Sequence, residues 1–343
     1  MKNLRSTWRA LAAPLALTLI AITVPTSASA SFPGEPGPIA FQSTRAGGLS
    51  VWLVEPDGHG LRQFTPGGGG DRKPRAFQYA PSIAPDGRRL AYVGAETRNG
   101  KTWSNLFVKG IAVRALNEPG KSILRHPTSR RIESVAFDGS GHRLVFSAVP
   151  SGGGDLELFG VRIDGGGLKQ LTRNQTQDIE PSVSRGGLIV FTQLLERGSP
   201  AQALFGRSNL ALIRPSGGAA RPLTHGPNEN RDPDFAPSGT RVVYEHYSRS
   251  GSGAGRIDEL AIRSLRSQTI FSGSRQETTF DDPHNPAFSP SGEELVFDRT
   301  VRDDLGQIVN PTLFVLDGDE LRGILDSNGE YDTDPNWGPK PRE

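Results

Sequence analysis

Apolar and polar positions alternate with a period of two along most of the chain, and Pro, Gly, Asp and Ser interrupt the alternation at regular places. One hairpin pattern recurs about every 50 residues, with an apolar residue before the turn and an aromatic residue closing the second strand. The copies are 81–92, 135–146, 181–191, 233–244 and 286–297. Period-two alternation around a Pro-Gly turn predicts antiparallel, half-buried strands.

Each interval also contains a second hairpin, such as LSVWLV (49–54) followed by LRQFT (61–65). Four short strands per repeat have apolar faces that need neighbours on both sides, which radial stacking supplies. The repeat unit that begins with segment 37–44 lacks its first strand. The segment 333–339 has the pattern of a first strand, and no further strands of a unit follow it. A β-sandwich or a β-helix explains neither piece. The sequence therefore predicts an all-β fold, a six-bladed β-propeller of four-stranded antiparallel blades closed by a C-terminal strand in the first blade.

The hairpins 81–92, 233–244 and 286–297 fit the pattern P-x-[FIVW]-[SA]-P-[DS]-G-x-x-[LV]-x-[FY]. This resembles the repeat of the TolB-like (WD40-like, PD40-type) β-propeller family, and the resemblance implies a propeller over nearly the whole chain. Val135 replaces the leading proline of one copy, and another copy is shortened at 186–187. We expect the additional N-terminal domain of TolB to be absent, so the resemblance carries over the fold and not TolB's role.

The first thirty residues form a different pattern. Lys2, Arg5 and Arg9 precede an apolar run at 10–24, and an A-x-A cleavage pattern ends at Ala30. This predicts a secretory signal peptide (1–30), with a retained anchor as the alternative. We therefore expect a single propeller domain at 31–343, exported to the periplasm, the cell wall or the medium. No other apolar run has membrane length, so we expect no membrane span after cleavage.

Composition narrows the classes of partner and chemistry. The chain has 39 basic and 37 acidic residues, and removal of the predicted signal leaves 36 and 37. A near-neutral protein is poorly suited to nucleic acid. The absence of cysteine excludes disulfides, thiolate metal sites and cysteine nucleophiles. The 42 glycines and 27 prolines agree with an all-β fold rich in turns. We expect a monomer.

Loop lengths distinguish the two predicted faces of the propeller. Connections on one face are tight and uniform, whereas those on the other are long and variable, which is how binding faces are usually built. These loops are 66–78, 94–104, 192–208, 245–257 and 298–310. The hypothesis is a binding face for a protein, peptide or glycan, and the alternative is solvent-facing filler.

Polar residues cluster just before the inner strands on the same face, where they would surround the mouth of the central channel. The candidate site residues are Asp178, Glu180, Arg231, Asp232, Asp281, Asp282, His284, Asp332 and Asp334. Their carboxylates suit a divalent cation such as calcium or a basic partner segment. The alternative is that they accept backbone hydrogen bonds and fix the turns between blades. No cofactor is otherwise indicated.

Catalytic motifs give no support for an enzyme. No serine lies in a G-x-S-x-G elbow, and the six histidines form neither H-x-H nor H-E-x-x-H. The sequence therefore favours a non-enzymatic binding or scaffold module. The alternative is a channel-sited enzyme of the lyase, glycosidase or lactonase type that uses the mouth carboxylates, with or without a divalent cation.

Overall fold

The computed structural model describes residues 32–341 except 68–74, 117, 119, 126–127, 129–130, 196–205, 250–253, 276–279, 303–307 and 327–328. The predicted signal peptide (1–30) and parts of the predicted variable loops lie outside the described residues. Within the described ranges the regular structure is entirely β. None of these residues belongs to a helix of the length and apolar character that crossing a membrane requires.

Alternating apolar positions form the described strands, which are β1 (Pro36–Ser43), β2 (Ser50–Val54), β3 (Arg62–Gln63), β4 (Arg75–Ile83), β5 (Arg89–Arg98), β6 (Lys101–Gly110), β7 (Lys121–Ser122), β8 (Ile132–Phe137), β9 (Arg143–Ala148), β10 (Glu157–Arg162), β11 (Lys169–Gln170), β12 (Gln177–Val183), β13 (Ile189–Leu194), β14 (Ser208–Ile213), β15 (Arg221–Pro222), β16 (Glu229–Phe235), β17 (Arg241–Tyr247), β18 (Arg256–Ala261), β19 (Arg266–Ser272), β20 (Ser274–Arg275), β21 (Phe280–Phe288), β22 (Glu294–Arg302), β23 (Ile308–Asp317), β24 (Glu320–Gly323) and β25 (Asp332–Pro339).

The strands form four-stranded antiparallel units, numbered here by their position along the chain. Unit 1 has the order β25-β1-β2-β3, and units 2 and 3 are β4–β7 and β8–β11. Units 4 (β12–β15) and 5 (β16–β19) are joined by one parallel bridge between Ser208 and Glu229. Unit 6 is β21–β24, with the short β20 paired to β21. The inner strands β4, β8, β12, β16, β21 and β25 contact one another in this order, and β25 also contacts β4.

The two ends of the described chain meet in unit 1. Strand β25 pairs antiparallel with β1, and Ile39 lies opposite Trp337. The Trp337 side chain is 0% exposed, and its Nε1 donates a hydrogen bond to the carbonyl oxygen of Gly37 at 3.0 Å. It packs in a core cluster with Ile39, Val54 and Leu313, so units 1 and 6 share apolar burial around this residue.

Each inner strand carries a β-bulge or a similar irregularity, where the pairing register shifts. In five of the six, the residue before a proline has a positive φ between 49° and 58°; these residues are Ala80, Glu180, Asp232, Asn285 and Asp334. The backbone N–H at this position turns toward the preceding unit. The N–H of Glu180 donates to Ser134 Oγ, and that of Asp232 donates to Glu180 Oε2. The bulges therefore join neighbouring units.

A second set of hydrogen bonds between units lies two residues after the bulge. The backbone N–H of Phe137 donates to Ser82 Oγ at 3.0 Å, and that of Phe235 donates to Ser182 Oγ at 3.1 Å. Asp234 continues the series, because its Oδ2 accepts from the N–H of Phe288 in unit 6 at 2.9 Å. Small polar side chains at this repeat position thus align each inner strand with the next one.

Tight turns follow the inner strands, as the Pro-Asp-Gly and Pro-Ser-Gly sequences predict. Gly87 has a φ of 66°, and a Cβ atom there would lie 2.1 Å from the carbonyl oxygen of Pro339. Only glycine fits both the left-handed conformation and this close approach. The turn of unit 2 therefore packs directly against the end of β25.

One predicted variable loop is regular structure instead. Residues 94–104 continue β5 and β6 as a long hairpin, whose turn residues Asn99 and Gly100 have φ values of 50° and 73°. Two consecutive positive φ values are the signature of a type I′ turn, which an Asn-Gly pair favours. The loop prediction at this place was wrong because the Asn-Gly signal was overlooked.

Candidate functional site

The inner strands of units 4, 5 and 6 and the second strand of unit 5 bring together a group of charged side chains. We define the mouth cluster as Glu180, Glu229, Arg231, Asp232, Glu245 and His284. Arg231 lies at its centre, and its side chain is 16% exposed. Its Nε lies 2.8 Å from Asp232 Oδ2 and 3.1 Å from Glu245 Oε2, and its Nη1 lies 3.1 Å from Glu229 Oε1. Glu180 Oε1 from unit 4 lies 3.9 Å from Nη2.

His284 extends the cluster into unit 6. Its Nδ1 lies 2.5 Å from Glu245 Oε1 and 3.1 Å from the Tyr247 hydroxyl. The rings of His284 and Tyr247 stack with their centroids 6.0 Å apart. When Glu245 is ionised it only accepts hydrogen bonds, so in that state Nδ1 of His284 carries the proton and donates to Glu245. The Nε2 atom of neutral His284 then carries a lone pair, and 30% of the side chain is exposed.

Burial changes the ionisation of this cluster. Loss of hydration raises the pKa of Asp232 to about 7 and that of Glu245 to about 7, although Arg231 opposes both shifts. The pKa of Glu229 is raised for the same reason. Burial also lowers the pKa of His284, so its imidazole is neutral near pH 7. Near neutral pH the cluster therefore holds protons on groups that are ionised in water.

Four of the predicted site residues lie in the mouth cluster: Glu180, Arg231, Asp232 and His284. Four others have partners outside the mouth cluster. Asp178 accepts hydrogen bonds from Asn174, Thr176 and Gln193; Asp281 pairs with Arg299; Asp282 accepts from the N–H of Gly255; and Asp332 binds Ser43 and Arg45. Of these four, Asp282 accepts a backbone N–H, as the turn-fixing alternative expects, whereas the other three bind side chains. The ninth residue, Asp334, donates its backbone N–H to Asp298 Oδ1 at 3.1 Å.

The sequence interpretation missed the carboxylates of the second strands. Glu245 follows the closing aromatic Tyr244, and Asp298 follows Phe297 in the same repeat position. Thr192, which also follows a closing aromatic, accepts the N–H of Asp232 at 3.2 Å. This position points toward the inner strand and its bulge. The repeat alignment contained the signal, since every copy offers one residue directly after the aromatic.

The mouth cluster combines several carboxylates with groups that can take up and release protons. Four carboxylates surround one guanidinium, so the fully ionised cluster has a negative excess. Among the described residues, no set of three or more His, Cys, Asp or Glu side chains is arranged to hold a metal ion. The exposed parts of the cluster are Arg231 and His284, through which a ligand could approach.

Comparison with known proteins connects this architecture to one family. The profile of the TolB beta propeller domain matches residues 72–341. No curated protein sequence matches the chain. Among solved structures, TolB from Acinetobacter baumannii is 17% identical over 89% of this chain and 67% of its own, with a TM-score of 0.58.

Two enzymes share the same fold at low identity. Hydrazine synthase of Kuenenia stuttgartiensis is 14% identical over 91% of this chain, with a TM-score of 0.64, and this chain covers 48% of its length. Oligogalacturonate lyase from Vibrio parahaemolyticus is 13% identical over 88% of this chain and 78% of its own, with a TM-score of 0.52. Likeness at this level concerns the fold alone. Since the family profile spans most of the sequence, the chain belongs to the TolB beta propeller domain family.

Proposed function

We propose that the protein is a six-bladed propeller whose ring is sealed in unit 1, and that it acts after export as a binding module. The successive contacts of the inner strands and the pairing of β25 with β1 support the ring. The export rests on the predicted signal peptide. The ligand in this proposal is a basic segment of a partner protein, which enters at the mouth cluster.

The observation that carries the proposal is the charge imbalance around Arg231. Four carboxylates lie within 4 Å of one guanidinium, and burial makes two of them hold protons near pH 7. A lysine or arginine side chain entering the mouth stabilises the ionised carboxylates and displaces these protons. Binding of a cation is therefore coupled to proton release and strengthens as the pH rises through 7.

The test uses a fluorescent lysine-rich peptide and a glutamate-rich peptide of equal length. Anisotropy titrations at pH 6 and pH 8 measure affinity, and calorimetry in two buffers of different ionisation enthalpy counts the protons released. We expect preference for the basic peptide, tighter binding at pH 8, and at least a tenfold loss in Glu245→Gln and Asp232→Asn. Asp164→Asn, an exposed carboxylate in the turn after β10, is the matched control. Equal binding of both peptides, or unchanged affinity in both cluster variants, contradicts the proposal.

The second candidate function is a lyase-type enzyme, and the observation that favours it is the His284–Glu245 pair. A neutral imidazole held at Nδ1 by a carboxylate presents Nε2 as a general base. Oligogalacturonate lyase is among the proteins with this fold, so oligogalacturonate is the first substrate to try. Formation of unsaturated product by the wild type and its loss in His284→Gln would favour catalysis. Elemental analysis of the purified protein tests whether a divalent ion accompanies it.

A further inference from the structure

A cavity lies between the end of unit 4 and the strands of unit 5, and none of its described lining residues belongs to the mouth cluster. Its volume is about 430 Å³, within the range of small-molecule sites. From unit 5 it is lined by Tyr244, His246, Arg256 and Leu260. The opposite wall comes from the end of unit 4 and includes His225.

The imidazole of His246 is fixed by a chain of hydrogen bonds. Asn230 Nδ2 donates to the carbonyl oxygen of Ser208 at 3.3 Å and to Asn209 Oδ1 at 3.2 Å, which are both acceptors. The amide oxygen of Asn230 therefore faces His246, whose Nδ1 lies 2.8 Å away. An amide oxygen only accepts, so Nδ1 of His246 must carry the proton.

This tautomer leaves the lone pair of His246 on Nε2. The residue is 8% exposed, and in the described part of the chain Nε2 has no hydrogen-bond partner. An imidazole nitrogen that has a lone pair and no donor from the protein can accept a hydrogen bond from whatever fills the cavity. Since His246 lines the cavity, an occupant with a hydroxyl group would supply that donor.

The neighbouring charges favour a neutral occupant. Arg256 Nε and Nη2 bind Asp258 at 2.8 and 3.1 Å, which neutralises both side chains and leaves other guanidinium N–H groups to donate. The Tyr244 hydroxyl bonds to Ser267 Oγ at 2.9 Å and can take a further bond. Leu260 adds an apolar wall. Acceptors, donors and an apolar wall together match a ring that carries several hydroxyl groups.

The fold itself does not require an imidazole at this place. In unit 2, Tyr92 occupies the repeat position of Tyr244, and Gly94 occupies that of His246. Strand β6 there offers Phe107 opposite Tyr92, where unit 5 has Asp258. The equivalent cavity of unit 2 has three aromatic side chains in its wall beside polar residues, and no histidine is among the described residues that line it. The imidazole is what distinguishes the cavity of unit 5 from that of unit 2.

From these observations we propose that the cavity between units 4 and 5 is a saccharide-binding site, in which a sugar hydroxyl donates to His246 Nε2 and Arg256 donates to a sugar oxygen. The site is separate from the mouth cluster, so either proposal can fail without the other.

The test screens a panel of neutral methyl glycosides by saturation-transfer NMR and calorimetry, in the presence of EDTA. We expect at least one glycoside to bind, and His246→Asn to weaken it at least fivefold, since asparagine keeps a donor for Asn230 but lacks Nε2. His142→Asn, in an exposed turn, should bind as the wild type does. Variants of the mouth cluster should also leave this binding unchanged.

Acid pH provides a readout that a purely structural role would not give. Protonation of His246 removes the Nε2 acceptor, so glycoside affinity should fall in acid while the protein remains folded. The charged and titratable groups that face His246 are Arg256, Asp258 and His225. Absence of binding across the panel overturns the proposal. Unchanged affinity in both His246→Asn and Arg256→Gln, with thermal melting confirming the fold, overturns it as well.

Discussion

Replacing Trp337 measures how strongly β25 holds unit 1 together. The side chain is 0% exposed within the core shared by units 1 and 6, and its indole N–H bonds to Gly37 at 3.0 Å. Truncation of a buried tryptophan to alanine costs about 3–5 kcal/mol through lost burial and the remaining cavity. Trp337→Phe retains an aromatic ring and leaves the Gly37 carbonyl without its donor, which costs about 1–3 kcal/mol.

Denaturant unfolding followed by tryptophan fluorescence and circular dichroism gives the free energy of unfolding for each variant. The control is Trp103→Ala, because this side chain is 40% exposed and its loss should change stability by less than about 0.5 kcal/mol. We expect the order of destabilisation to be Trp337→Ala, then Trp337→Phe, then Trp103→Ala. A cost below about 1 kcal/mol for Trp337→Ala would refute the view that the C-terminal strand is part of the core.

Three further perturbations follow from the structure. Burial raises the pKa of Glu245 to about 7, so between its ordinary pKa of 4.5 and this value the folded state keeps a proton that the unfolded state has lost. The free energy of unfolding should therefore fall by up to about 1.4 kcal/mol per pH unit across this range. In Glu245→Gln this fall with pH should be smaller, as measured by denaturant melts at pH 5, 6, 7 and 8. Gly47→Ala should cost about 1–2 kcal/mol through its φ of 74° alone, whereas Gly87→Ala should cost more because it also meets the end of β25; equal melting temperatures would contradict this. Ser182→Ala should lower the free energy of unfolding by about 1–3 kcal/mol, because it removes the hydroxyl that joins units 4 and 5. Thermal melting measures this change, and Ser238→Ala, at an exposed serine, is the control that should be nearly neutral.

Repeat alignment predicted the strand pairs well because the physical signals are local. The hairpin 233–244 became β16 and β17, and the segment 333–339 became β25, which pairs with β1. Period-two alternation and Pro-Gly turns determine such elements without reference to distant residues. The lengths of the outer strands were predicted less well. Strand β3, for example, has two residues where five were predicted.

The candidate site was only partly predictable, because the partner of a carboxylate depends on residues far along the chain. Asp332 and Glu180 are both carboxylates of an inner strand shortly before a proline. The first binds Arg45 across the ends of the chain, whereas the second lies beside Arg231 in the next unit. The repeat alignment marks the position of Glu245, which directly follows a closing aromatic residue. Its contacts with Arg231 and His284 become visible only in the folded structure.

The register between Ile39 and Trp337 also constrains how the chain folds. Unit 1 takes its innermost strand from the opposite end of the polypeptide, so it stays incomplete until the last strand is available. Such distant pairing raises contact order and slows folding, because a very long loop must close before the contact is rewarded. While the chain is being synthesised, the open edge of β1 needs protection from other strands, so a chaperone that holds unpaired β-edges would raise the yield of native protein.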